Sequence, residues 1–163
     1  MRILDSTLRN FSDHGVFLPN HGDVLVSGST LRDNGKTGLF LGGTPNLPWV
    51  SANYTLRVQT TTFSGNGSGA SDHGGAVMAG STNSTWDLGG FNGNGSNTLL
   101  GTANSPALRV AVPAGVTVRA VGNTWSPLVQ GANASGQYDP DVQATSGSGS
   151  NFLVGSGALR LSY

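Results

Sequence analysis

The sequence predicts an all-β solenoid of stacked parallel strands, on three observations: a composition poor in helix formers, one short motif that recurs, and apolar residues alternating in register with it. The 163 residues include 26 Gly and only 10% charged residues. Every acid is Asp, and Lys36 is the only lysine. Glu and Lys favour helices, whereas Gly, Ser, Asn and Thr do not. The Val, Leu and Phe residues come in short runs bounded by Gly and Asn, as strands and turns do. The length suits one domain, 1–163, with a continuous core.

The motif is Ser6-Thr7-Leu8-Arg9, which returns as Ser29-Thr30-Leu31-Arg32. Seven residues after each leucine a glycine opens a strand, Gly15-Val16-Phe17-Leu18 and then Gly38-Leu39-Phe40-Leu41. The offset of 23 residues, from Leu8 to Leu31, suits one turn of a solenoid. Continuing the frame gives anchors at Leu8, Leu31, Phe63, Phe91 and Trp125, with unequal spacings that corner insertions explain. Thr44 to Trp49, with two prolines, is one such insertion, because proline interrupts a strand ladder. Five residues before each anchor stand Ile3, Val26, Val58, Trp86 and Ala120, and seven before stand Val24, Leu56, Ser84 and Val118. The residue between is mostly polar (Arg2, Leu25, Arg57, Thr85, Arg119), so one face points in and one out.

Three residues after the anchors come Asn34, Asn66 and Asn94, each followed by Gly. Asn-Gly suits a tight turn. Recurrence at one offset predicts an asparagine ladder running along the stack. A single turn of chain cannot bury its apolar face, but stacked turns make the anchors one internal column.

The strand Val24 to Ser27, the corner Gly28-Ser29-Thr30-Leu31, Asp33-Asn34-Gly35 and the strand Gly38 to Leu41 resemble the repeats of the pectate-lyase-like superfamily. The likeness covers residues 2 to 125 and is best in the first two turns. It implies a right-handed parallel β-helix of about five coils, with 1–125 forming the coils and 126–163 an irregular, loop-rich C-terminal end. Gln130 to Ser150 reads as a long loop, and Phe152-Leu153-Val154 and Leu159-Arg160-Leu161 as final strands. The superfamily holds polysaccharide lyases and hydrolases beside phage tailspikes and bacterial surface proteins, so the likeness speaks of fold before activity.

The superfamily's lyases hold calcium on outward Asp residues and use Arg or Lys as a base. Here Asp5, Asp33 and Asp87 fall at different offsets, so no cofactor or catalytic residue is assigned; calcium stays open, as does a zinc or calcium site on His14 and His73. Arg9 and Arg32 do stack, as an anion-accepting surface or as solvated side chains. Ser12-Asp13-His14-Gly15 and Ser71-Asp72-His73-Gly74 repeat, with Lys36 near the same corner on the turn between them. Asp13, His14, Lys36, Asp72 and His73 are therefore the candidate polar site, although Asp-His-Gly is also plain turn chemistry. Thr7, Thr30, Thr62 and Thr124 form a column with one Thr per turn, fewer than water-ordering threonine arrays carry. Trp49 and Tyr54 are candidate exposed aromatics for stacking on sugars.

With a formal net charge of zero, nothing attracts a phosphate backbone, so a nucleic-acid partner is not expected. No apolar run is long enough for a membrane span, and the absence of Cys excludes disulfides. The repeat starts at once, so the chain is expected to be part of a longer exported protein, secreted or on a cell surface. The expected function is a non-catalytic module, scaffold or adhesion and glycan-contact surface. The alternative is a polysaccharide-binding or polysaccharide-cleaving domain. The expected partners are a polysaccharide or another copy joined end to end.

Overall fold

A computed structural model describes residues 1–19, 22–41, 54–67, 76–79, 85–89, 95–101, 107–111, 118–119, 123–126 and 142–144. These residues form strands and turns and contain no helix. In chain order the strands are β1 (Arg2–Leu4), β2 (Thr7–Arg9), β3 (Val16–Leu18), β4 (Gly22–Ser27), β5 (Thr30–Arg32), β6 (Leu39–Leu41), β7 (Tyr54–Gln59), β8 (Thr62–Ser64), β9 (Ala76–Ala79), β10 (Thr85–Asp87), β11 (Thr98–Leu100), β12 (Leu108–Ala111), β13 (Val118–Arg119), β14 (Thr124–Ser126) and β15 (Val142–Ala144).

Every pairing between them is parallel, and each strand pairs with the strand three places along the chain. Three five-stranded sheets result, β1-β4-β7-β10-β13, β2-β5-β8-β11-β14 and β3-β6-β9-β12-β15. The chain thus visits the first, second and third sheet in turn and then starts a new tier. Tier one is β1 to β3, and tier five is β13 to β15. Parallel pairing needs a long return path, and the other two strands of the tier supply it.

The inner columns follow the predicted alternation in the early tiers. Ile3, Val26 and Val58 line up in the first sheet, and Leu8, Leu31 and Phe63 in the second. Val26, Leu31, Leu56 and Phe63 are fully enclosed. Each such side chain contributes about 1.5–3 kcal/mol by leaving water. In the third sheet Val16 lies beside Leu39, and Leu18 beside Leu41, packed on the same core.

From the fourth tier the register departs from the sequence reading. Leu99, not Phe91, pairs with Phe63 and Trp125 in the second sheet, and Phe91 lies outside the described residues. Residues 88–97 separate β10 from β11, where two residues separate β1 from β2. That added length shifts the anchor eight places. Trp86 accordingly lines up with Leu56 and Val118, not with Val58 and Ala120. A further correction concerns the tail: Val142–Ala144, inside the stretch read as a long loop, is a strand paired with β12. Phe152 to Val154 and Leu159 to Leu161 lie outside the described residues.

The corners on either side of the second sheet use left-handed backbone. Asp5, Gly28, Thr60 and Ser96, each three residues before an inner second-sheet side chain, have φ of 45°, 59°, 51° and 49°. Asn10, Asp33 and Gly65, each two residues after, have φ of 61°, 54° and 62°. Asp and Asn enter this region more readily than other side chains, and glycine does so freely.

Candidate functional site

Two polar ladders hold these corners together. After the second sheet, Asn34 and Asn66 stack as the sequence predicts, both buried. Asn34 donates from its backbone N and from Nδ2 to Asn66 Oδ1, at 3.2 and 2.9 Å. Asn66 Nδ2 in turn donates to the Leu31 carbonyl at 2.9 Å. Asn94 lies outside the described residues.

The second ladder, before the sheet, was not anticipated. Ser6 N donates to Ser29 Oγ at 3.2 Å, Thr61 N to Asn97 Oδ1 at 2.9 Å, and Asn97 N to Asn123 Oδ1 at 3.0 Å. All these residues sit two places before an inner second-sheet side chain. The available signal was a column of small polar residues, Ser6, Ser29, Thr61, Asn97 and Asn123, with no single letter repeating. Buried amides need partners, and the ladders supply them at corners where strand pairing ends.

On the outside, the second sheet carries a threonine column. Thr98 joins it, so the register runs Thr7, Thr30, Thr62, Thr98, Thr124 without a gap. Beside it Arg9 and Arg32 are register partners, as predicted. Arg32 Nη1 also lies 3.0 Å from Asp33 Oδ2, an exposed pair whose contribution to stability is about 0–1 kcal/mol.

The candidate polar site is partly assembled. Asp13 Oδ1 lies 2.8 Å from Lys36 Nζ and 3.3 Å from His14 Nε2. Lys36 N donates to the Asp13 carbonyl at 2.9 Å, so backbone pairing between the first two tiers sets this side-chain meeting. Asp72 and His73 lie outside the described residues.

The sequence reading missed the aromatic half of this cluster. The His14 ring stacks on Phe17 at 5.3 Å and 16°, and meets Phe40 at 4.9 Å and 45°. Phe17 and Phe40 are register partners with ring centroids 5.3 Å apart. Their signal was the third residue of Gly-Val-Phe-Leu and of Gly-Leu-Phe-Leu, which alternation turns outward. Phe40 is buried and Phe17 is 42% exposed, and His14, stacked on Phe17, links the rings to Asp13 and through it to Lys36. Asp13 and Lys36 are themselves substantially exposed, at 60% and 43% of their side chains.

Tyr54 corrects another expectation. It is enclosed, donates its hydroxyl to the Leu18 carbonyl at 3.0 Å and packs on Trp86 with centroids 5.5 Å apart. As the first residue of β7 it begins the inward alternation, so it offers no surface for a sugar. Trp49 lies outside the described residues.

Asp5, Asp33 and Asp87 do not come together. Asp5 and Asp33 occupy different corners, while Asp87 is a buried residue of the first sheet that accepts from Gly89 N at 2.9 Å and sits 3.8 Å from Arg57 Nε. Among the described residues no three His or Asp side chains gather as metal ligands. Nor is any helix among them long and apolar enough to cross a membrane. No family model, curated protein or solved structure gives a significant match to this chain.

Proposed function

We propose that this chain is a right-handed parallel β-helix module, of the kind found in the pectate-lyase-like superfamily, and that it serves an exported or surface protein as a non-catalytic, glycan-contacting scaffold. Strands taken in rotation by three parallel sheets favour the β-helix reading, and parallel crossovers within one sheet are overwhelmingly right-handed. The observation that carries the glycan reading is the part-exposed ring of Phe17, stacked on a histidine that itself lies against the exposed Asp13–Lys36 pair. A sugar ring has apolar C–H faces and a rim of hydroxyls. The phenyl ring suits the faces, and an acceptor and a donor side by side suit the rim. The polar pair is substantially exposed and adds little to folding.

The test is a glycan array with the whole chain, followed by titration of any hit against Phe17→Ala and Lys36→Met. Binding that weakens at least about tenfold, or about 1.4 kcal/mol, in each variant supports the reading. Binding indifferent to both changes, or no binding to any glycan, rules the patch out. Ultraviolet-absorbing unsaturated sugar released from a polysaccharide would instead make the module a lyase.

A further inference from the structure

We propose that Asn34-Gly35 and Asn66-Gly67 are modification sites that the fold holds shut: deamidation is suppressed while the tiers are stacked, and once a corner opens its asparagine converts irreversibly to aspartate or isoaspartate. This rests on observations separate from the glycan patch. An Asn-Gly peptide is open to this reaction because glycine has no Cβ to crowd its nitrogen. The glycine nitrogen attacks the asparagine Cγ, the Cγ–Nδ2 bond breaks, and the proton of that nitrogen leaves with the amide as ammonia. Water then opens the cyclic imide at one of its two carbonyls. The product is aspartate or, with one more carbon in the backbone, isoaspartate. The second ladder is spared by its sequence: Asn97 and Asn123 are followed by Thr98 and Thr124, whose branched Cβ crowds the nitrogen.

Stacking blocks each requirement of the reaction. The attacking nitrogens are engaged as donors, Gly35 N to the Phe11 carbonyl at 2.8 Å and Gly67 N to the Asn34 carbonyl at 3.0 Å. The carboxamides are pinned: Asn34 Oδ1 accepts from Phe11 N at 3.2 Å and its Nδ2 donates to Asn66 Oδ1, while Asn66 Nδ2 donates to the Leu31 carbonyl. Asn34 and Asn66 are 0% and 1% exposed, so water is kept from the reacting atoms. The lock is asymmetric. The Asn34 carboxamide relies on the Asn66 side chain, whereas the Asn66 corner also relies on backbone: the Leu31 carbonyl, the amide N of residue 34, and Gly67 N on the carbonyl of residue 34. Conversion runs one way. A carboxylate at 66 would face the Leu31 carbonyl, and one at 34 would face Asn66 Oδ1, each a buried charge set against an acceptor. A converted corner therefore does not close again, and the change records that it once opened.

Peptide mapping by mass spectrometry, after incubation of the whole chain near neutral pH, reads each site separately from Asn92-Gly93 and Asn94-Gly95. In concentrated urea Asn34 and Asn66 should convert at similar rates, and Asn97 and Asn123 far more slowly. In the folded chain Asn34 and Asn66 should convert at least about a hundredfold more slowly than in urea, an opening cost of about 2.8 kcal/mol. Asn66→Ala should speed conversion at Asn34 about tenfold or more over the folded unsubstituted chain, while Asn34→Ala leaves Asn66 within about threefold. A variant that fails to fold converts at the urea rate and is set aside. Hydrogen exchange of the unsubstituted chain then decides, because the Gly35 and Gly67 amides should exchange as slowly as those of the enclosed Val26 and Leu31. Folded rates equal to the urea rates, fast exchange at either glycine, or two folded variants that act alike on the remaining asparagine would each overturn the proposal.

Discussion

Replacing Asn66 with alanine tests the corner ladder most directly. Asn66 is buried, and its side chain serves three groups at once: it accepts from Asn34 N and Nδ2 and donates to the Leu31 carbonyl. Truncation strands the Asn34 backbone N–H in a buried corner, at about 1–3 kcal/mol for an unsatisfied group. Loss of the bond to Leu31 adds about 1 kcal/mol. Asn34 Nδ2 keeps a weaker alternative in the Leu8 carbonyl, 3.4 Å away, so it adds little. The sum is about 2–4 kcal/mol. With a urea m-value of about 2 kcal/mol/M, the midpoint falls by about 1–2 M. Equilibrium unfolding followed by the fluorescence of the three tryptophans, the enclosed Trp86 among them, measures this, with the exposed Thr7→Ala as control, expected to stay within about 0.5 kcal/mol. A midpoint for Asn66→Ala within about 0.2 M of the control would show that the ladder does not hold the tiers together.

Two further substitutions probe particular contacts. A Cβ on Gly35 would collide with the Ser12 carbonyl oxygen, whose backbone cannot yield, whereas one on Gly28 would meet the Asp5 carboxylate, a side chain able to swing away. Gly28→Ala should therefore lose only the left-handed penalty of about 1–2 kcal/mol and Gly35→Ala clearly more, an order that thermal unfolding of the two variants checks. Trp86→Phe should be nearly neutral, within about 1.5 kcal/mol: among the described residues Trp86 Nε1 is buried without a partner, and removing an orphaned donor offsets part of the lost packing. Calorimetric unfolding decides, and a loss above about 3 kcal/mol would mean the indole is satisfied.

The sequence revealed most where the tiers are short. Ser-Thr-Leu-Arg stands twice with few residues around each corner, so Leu8 over Leu31, Arg9 over Arg32 and Asn34 over Asn66 could all be read directly. Reading failed where length was added. Residues 88–97 displaced the fourth anchor, and Phe91, followed by its own Asn-Gly, imitated the motif at the wrong place. The same slip hid Asp87, which the register sets beside Arg57 as a buried acid of the first sheet. Tyr54 looked like a surface aromatic because nothing nearby in the sequence identifies it as the start of an inward column. The polar site was half legible: Asp-His-Gly attracted notice as a repeat with Lys36 near the same corner, but the rings were missed, Phe17 on the outward face of the same tier and Phe40 brought to it by stacking of the next.

The corners differ in length while the strands between them stay in step. Residues 33–38 join β5 to β6, and residues 65–75 make the equivalent link from β8 to β9. Going from six to eleven residues raises the entropy of closing such a link by only about 0.5 kcal/mol. Each bend is thus an independent port, open to inserted sequence with almost no thermodynamic echo elsewhere. A chain built this way can diversify what it displays, one bend at a time, on an unchanged frame.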